Sequence, residues 1–267
     1  MMRLALAPCS PFSVSPRLMR ESAELAQRRG VRLHTHLAET RDEEAYCMTR
    51  FGKRPLDLLE DAGWMGADTW LAHGIFFNRR EIARLGRAGV GIAHCPTSNM
   101  RLGSGCAPVG ALRRAGSPVG LGVDGSASND SSHMLAEPRQ ALLLQRVHRG
   151  AGALRVMDAL RMATVEGARA LGRDDIGSVE VGKRADVALF DLRGLGFSGA
   201  GDPVSALLLC APVQVDTLVV NGRIVVEAGE LRTGSVERIV GRHRRAAARV
   251  MGKPAGSAAF QPTLLAF

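Results

Sequence analysis

The 267-residue sequence predicts an α/β fold with parallel strands, followed by a small antiparallel β unit. Three observations predict it. Short apolar runs alternate with amphipathic, helix-like stretches as far as about Leu171, an order that implies parallel strands with crossover helices on the outside. Ionisable residues stand at the C-terminal ends of four successive strands. Beyond about Asp175 the texture changes to turns and short strands, with an Asn221-Gly222 pair of the kind that closes a two-residue hairpin. The expected division is 1–175 for the α/β part, 176–235 for the β unit and 236–267 for a C-terminal helix and tail.

The elements follow from local chemistry. Leu4–Ala7 is a short strand. Ser15-Pro16 starts a helix with Ser as N-cap and Pro at the first helical position; it runs to Arg29, where Gly30 supplies the stop. Val31–Leu37 is the second strand. A helical region from Arg41 to Asp61 is broken near Gly52 and Pro55. Thr69–Ala72, Val90–Ala93 and Val119–Val123 are strands, separated by helices at Arg79–Ala88 and Val109–Ala115, each ended by glycine (Gly89, Gly116). Helices over Met134–Arg149, Val156–Ala163 and Val165–Leu171 complete this part. In the β unit, Val187–Phe190, Val215–Val220 and Arg223–Glu227 are the strands.

Composition narrows the function classes. The formal charge is +9, but aromatics are only 4%, few for a stacking platform. The densest basic run, Arg242-His-Arg-Arg245, sits on a helix with Ala and Val on its other face, which suits a solvated surface. No nucleic-acid partner is expected. Five irregularly spaced cysteines without a C-x-x-C pair argue against a disulfide framework or a cysteine zinc site, and fit a reduced, cytoplasmic setting. No apolar run reaches the roughly 18 residues of a membrane span, so no membrane association is expected.

The four strand ends are His34-Thr-His36-Leu-Ala-Glu39, Leu71-Ala-His73-Gly74, Ala93-His94-Cys-Pro-Thr-Ser-Asn99 and Gly122-Val-Asp124-Gly125. In parallel α/β folds this end of the sheet is where sites are built. Each residue alone has a plainer reading: a histidine hydrogen-bonded for structural reasons, an aspartate making a turn. Their recurrence raises a second reading, in which imidazole and carboxylate hold a divalent metal. On spacing alone the two stand side by side. In the metal reading His36 is a ligand, and Glu39, just past the strand, is a carboxylate able to move protons.

The series His36-Leu-Ala-Glu39-Thr40, Ala72-His73-Gly74, His94-Cys-Pro-Thr-Ser-Asn99 and Val123-Asp124-Gly125 resembles the amidohydrolase superfamily. Within it the chain is similar to the aminohydrolase branch that acts on guanine, S-adenosylhomocysteine, triazines and 8-oxoguanine. Leu6–Ser15, Asp124–Ser132, Gly172–Gly177 and Asp202–Leu207 carry the resemblance further, and Ile176–Asp191 and Val215–Val226 are similar to that superfamily's return from barrel to β-sandwich.

The resemblance implies a (β/α)8 TIM-type barrel, of which this chain holds about strands four to eight, followed by a β-sandwich portion. It implies one divalent metal, zinc in most members and iron in some, with His36 and Asp124 as ligands. Glu39, His73 and Asp124 are then the catalytic groups: Glu39 and His73 form the acid–base pair, and His73 and Asp124 steady the attacking oxygen. The implied activity is hydrolytic deamination of an amino-substituted purine-like heterocycle, with 8-oxoguanine foremost. Guanine, isocytosine, a triazine or a nucleoside are the other substrates considered, and a non-catalytic remnant or subunit the other role. A homo-oligomer is expected at full length. The family's H-x-H pair on strand one is not found. His34-Thr-His36 has its form, yet the H-x-x-E spacing assigns that segment to strand five, which makes His34 a neighbour rather than a ligand. The chain is accordingly expected to be truncated and inactive, or nearly so, by itself.

Overall fold

Five strands pair in parallel, in sequence order, in the computed structural model, which describes residues 2–210 and 212–252. They are β1 (Ala5–Leu6), β2 (Arg32–Leu37), β3 (Thr69–His73), β4 (Gly91–His94) and β5 (Val119–Leu121). The chain is thus α/β with a parallel sheet, as the alternation of patterns predicts. The observed strands are shorter at several ends, because β5 stops at Leu121 and leaves Gly122–Asp124 as a loop.

The helices begin and end where the capping chemistry places them. In α1 (Pro16–Arg29) the Ser15 side chain accepts the Leu18 N–H, and Gly30 closes the helix at φ 61°. The Arg41–Asp61 region is two helices, α2 (Arg41–Phe51) and α3 (Pro55–Asp61), split at Gly52. Helix α4 (Arg79–Ala88) carries a full capping box between Asn78 and Glu81. Two helices lie between β4 and β5: α5 (Pro96–Arg101), which the sequence reading takes as a polar strand end, and α6 (Val109–Ala115). Helices α7 (Ala136–Arg149), α8 (Val156–Ala163) and α9 (Val165–Ala170) follow β5. A further short helix, α10 (Pro203–Leu209), comes later.

Strand β2 shows how the sheet divides its faces. Leu33, Thr35 and Leu37 are buried, whereas Arg32, His34 and His36 are half-buried on the opposite face, the two-residue period of a strand. The core is apolar and continuous, with Leu37, Leu71, Ile92 and Val119 from the strands and Leu56, Leu85, Leu112 and Leu142 from the helices. Trp64, wholly buried, satisfies its indole by donating Nε1–H to the Met19 carbonyl at 2.9 Å. Helices α4 and α6 approach closely at Gly86, where a Cβ would stand 2.0 Å from the Ala115 carbonyl oxygen.

The chain divides into two compact units. The first runs to Arg184 and resumes at Leu192 through α10; the second comprises Ala185–Asp191 and the chain from Pro212. The second unit holds an antiparallel sheet of β6 (Val187–Leu189), β7 (Thr217–Val220), β8 (Arg223–Glu227) and β9 (Glu230–Leu231). Asn221 and Gly222 both take positive φ, 49° and 78°, as a tight turn between twisted strands requires. Helix α11 (Val236–Val250) follows, capped by Ser235. The tail from 253 that the sequence reading joins to this helix lies outside the described residues.

Candidate metal and acid–base site

The parallel register brings the strand ends level: Leu37 pairs with His73, Ala72 with Ala93, and His94 with Leu121. His36, His73 and Asp124 converge there, with one ligand atom from each lying within 4.8 Å of the others. Glu39 joins them, its Oε2 3.5 Å from His73 Nε2; Asp124 Oδ2 lies 3.8 Å from the same nitrogen. All four residues singled out in the sequence therefore meet at one place. His34 is beside them but outside the cluster. Its ring stacks on Trp70 at 4.8 Å and one ring nitrogen lies 3.1 Å from the Trp70 carbonyl.

Each side chain is aimed by a second group. The Cys9 carbonyl accepts His36 Nδ1–H at 2.7 Å, the His36 backbone N–H at 3.0 Å and the Thr35 hydroxyl at 3.0 Å. Fixing the proton on Nδ1 leaves the Nε2 lone pair of His36 for a ligand. Asn99, from α5, accepts His73 Nδ1–H at 2.9 Å and so turns Nε2 towards Glu39 and Asp124. The Ser98 hydroxyl donates to Asp124 Oδ2 at 2.6 Å, Ser128 to the same oxygen at 3.2 Å, and the Gly125 N–H to Oδ1 at 2.8 Å. Burial pushes the Asp124 carboxyl up, but these hydrogen bonds and the neighbouring His73 outweigh it and hold the group below the ordinary aspartate value.

The backbone at the site is unusual. Ala38, His73 and Asp124 have φ of 55°, 69° and 64°, a left-handed region uncommon for residues with a Cβ. Such strain costs on the order of 1–3 kcal/mol per residue and collects at functional sites. Here it turns the chain sharply at the end of each strand, so that the side chains face one another.

Two buried groups next to the cluster differ from it. His94 is fully buried, burial with some help from His73 pushes it down to about 3, and neither ring nitrogen has a hydrogen-bond partner among the described residues. It is a neutral, unpaired imidazole outside the cluster. Glu43, at the start of α2, is buried and raised to about 7 chiefly by desolvation, against the pull of the Glu39 and Ala38 backbone and with a further upward push from Glu39.

The His36 imidazole and an Asp124 carboxylate held anionic are donors that zinc and similar divalent ions accept, and the tautomer fixed at His36 suits the role. The residues present fit such an ion. Sequence reasoning missed Ser98, Asn99, Ser128 and Glu43. Pro96 after a strand end, followed by Thr-Ser-Asn, is a helix-start signal that would have pointed to α5; the Cys9 carbonyl, a backbone atom, leaves no trace in sequence.

Residues 1–225 match the amidohydrolase family. The chain belongs to that family. This amidohydrolase chain is 56% identical to an 8-oxoguanine deaminase from Pseudomonas aeruginosa over 249 residues, 93% of this chain and 56% of that protein. It is 43% identical to a hydroxydechloroatrazine ethylaminohydrolase from a Pseudomonas species over 86% of this chain and 48% of that protein. The crystal structure of an adenosine deaminase from Xanthomonas campestris with bound zinc matches at a TM-score of 0.90 and 34% identity, covering 93% of this chain and 57% of that one. The amidohydrolase chain thus spans about half the length of the relatives it matches. Among its described residues no helix is long and apolar enough to cross a membrane.

Proposed function

We propose that the active enzyme is a metal-dependent hydrolytic deaminase of an amino-substituted purine-like heterocycle, converting 8-oxoguanine and water to urate and ammonia. The observation that carries the chemistry is the placement of Glu39 Oε2 and Asp124 Oδ2 at 3.5 and 3.8 Å from the same His73 nitrogen, Nε2, next to His36. The substrate rests on the 56% identity to the Pseudomonas enzyme. The fold reading that goes with it takes the five-stranded parallel sheet as strands four to eight of a (β/α)8 barrel, supported by the match to the Xanthomonas structure, and the second unit as a portion of a β-sandwich.

In this reading His36 and Asp124 hold a zinc ion, which supplies hydroxide near neutral pH. Glu39 takes one proton from the water that attacks the amino-bearing ring carbon and hands it to the ring nitrogen; the proton remaining on the added oxygen passes through His73 to the amino group, so that the C–N bond can break and ammonia depart. His73, its proton pinned on Nδ1 by Asn99, keeps Nε2 directed at the oxygen being added. Asp124, held below its ordinary pKa, remains a carboxylate and helps to orient that oxygen.

A tetrahedral zinc site takes four ligands, three of them from protein in catalytic centres. With His73 reserved for proton transfer, His36 and Asp124 are two. We therefore expect ammonia release only where further ligands join them, and little from this chain alone. Ammonia release is to be measured with 8-oxoguanine, guanine, isocytosine and a triazine, for the chain alone and for a preparation completed with an H-x-H strand. One tightly bound metal and fast turnover by the chain alone overturns the ligand requirement. Turnover of another heterocycle with none of 8-oxoguanine overturns the substrate.

A further inference from the structure

We propose that Glu43 is the positioning residue for Glu39: its buried carboxyl holds the backbone turn that aims the Glu39 side chain at His73. The proposal rests on the reading of Glu39 as the proton carrier, and concerns what keeps that group in place.

Glu43 is only 4% exposed, and a buried carboxyl needs compensation. No arginine or lysine among the described residues supplies it. Its Oε2 instead accepts the backbone N–H of Glu39 at 2.9 Å, while the Thr40 hydroxyl accepts the N–H of Glu43 at 3.2 Å. Ala38, the residue before Glu39, is in the left-handed region at φ 55°, and its carbonyl accepts the N–H groups of Ile75 at 2.8 Å and Phe76 at 3.0 Å. The turn is thus tied on one side to the chain leaving β3 and on the other to Glu43. The second tie is the one that bears directly on Glu39.

The same molecule contains the plainer alternative for comparison. In α4, Glu81 at the third helical position returns its Oε2 to the N–H of Asn78, the N-cap itself, at 2.7 Å, and Arg54 pairs with it at 2.7 and 3.0 Å. That is a helix start with a neutralised carboxylate. Glu43 occupies the equivalent position in α2, yet reaches one residue further back, past the N-cap Thr40 to Glu39, and does so without a cation. A cap needs neither change. Its other oxygen, Oε1, is buried without a hydrogen-bond partner, a cost that helix capping alone does not explain.

Two readouts that need no turnover test this in the 267-residue chain. One is hydrogen exchange at the Glu39 amide. The other is the ¹⁵N resonance of His73 Nε2, which senses the Glu39 carboxylate beside it. Glu43→Leu is expected to speed Glu39 exchange by about five- to tenfold, the worth of one hydrogen bond, and to move the His73 resonance towards its position in Glu39→Gln. Glu43→Gln retains an accepting oxygen and should restore both. Should the leucine variant fail to fold, Glu43→Asp keeps a carboxyl group but is one methylene too short, and should behave in the same way. Asn78→Ala, which removes the cap of α4, should leave both signals unchanged. Wild-type exchange and resonance in Glu43→Leu or Glu43→Asp, or failure of Glu43→Gln to restore them, overturns the proposal. Absence of deaminase activity in a preparation completed with an H-x-H strand would refute the proposed reaction and leave these two readouts intact.

Discussion

Asn99 accepts the Nδ1 proton of His73 at 2.9 Å, and both side chains are 1% exposed. A histidine with one nitrogen pinned in this way has its other nitrogen's role decided for it. Removing the pin should therefore act on chemistry and stability together. In Asn99→Leu, Nδ1 is left buried and unpaired, a cost of about 1–3 kcal/mol, and the ring is free to present the wrong tautomer. Urea unfolding should show that loss, and the rate of ammonia release by the completed enzyme should fall by roughly 10- to 100-fold. A normal rate in a well-folded Asn99→Leu protein would remove Asn99 from the site.

Ser98 acts on Asp124 in a comparable way. Its hydroxyl donates to Oδ2 at 2.6 Å and is the largest influence holding that carboxyl down against burial. Ser98→Ala should let the Asp124 pKa rise and, with Asp124 as the proposed ligand, should weaken zinc binding by about 10- to 100-fold, the usual effect of losing a hydrogen bond to a ligand. Calorimetric titration with zinc, with Ser128→Ala for comparison, measures it. Because the Ser128 contact is longer, at 3.2 Å, its loss should cost less.

How far the sequence foretells this arrangement depends on the kind of signal involved. The strand ends at His36, His73 and Asp124 are legible because ionisable residues leaving apolar runs stand out, and the H-x-x-E spacing gives Glu39 its place. Helices α1 and α4 are legible through Ser15-Pro16 and Gly30, and through the stop at Gly89, since capping is local chemistry. Helix α5 is marked only by Pro96 at its first position, a signal that the polar strand end around it obscures. The positive φ at Ala38, His73 and Asp124 is invisible for a related reason: aspartate and histidine tolerate it better than alanine does, but at all three positions tertiary packing decides it. Glu43 looks in sequence like any acidic residue in a first turn, and only burial reveals what it holds.

Burial of Glu43 also has a pH signature. Its carboxyl is raised from an ordinary value of 4.5 to about 7, chiefly by desolvation. Between these two values the folded chain keeps a proton that the unfolded chain has lost, so stability falls as pH rises through this window and levels off above it. A shift of this size corresponds to about 3 kcal/mol. Glu43→Gln stays neutral at every pH and should lack that decline. Urea unfolding of the metal-free proteins from pH 4.5 to 8 should show the variant gaining on the wild type up to about pH 7, with a constant difference beyond. A difference independent of pH would mean that burial leaves the Glu43 pKa where it is in the unfolded chain.

Gly86 offers a test of the packing that supports the site, because two effects there oppose each other. Replacing a glycine within a helix by alanine is worth about 1 kcal/mol of helix propensity. At this position the added Cβ would lie 2.0 Å from the Ala115 carbonyl oxygen and 2.8 Å from the Ala115 Cβ. A backbone carbonyl cannot rotate out of the way as a side chain can, so α4 and α6 would have to move apart, at a cost of about 1–3 kcal/mol or more for overpacking. The clash should win, and Gly86→Ala should be net destabilised by about 1–2 kcal/mol in chemical denaturation. Moving α4 and α6 also disturbs the strands they flank, β3 and β5, whose ends present His73 and lead to Asp124. Zinc affinity should therefore fall along with stability, whereas a Gly86→Ala protein more stable than wild type would show that the two helices do not make this close contact.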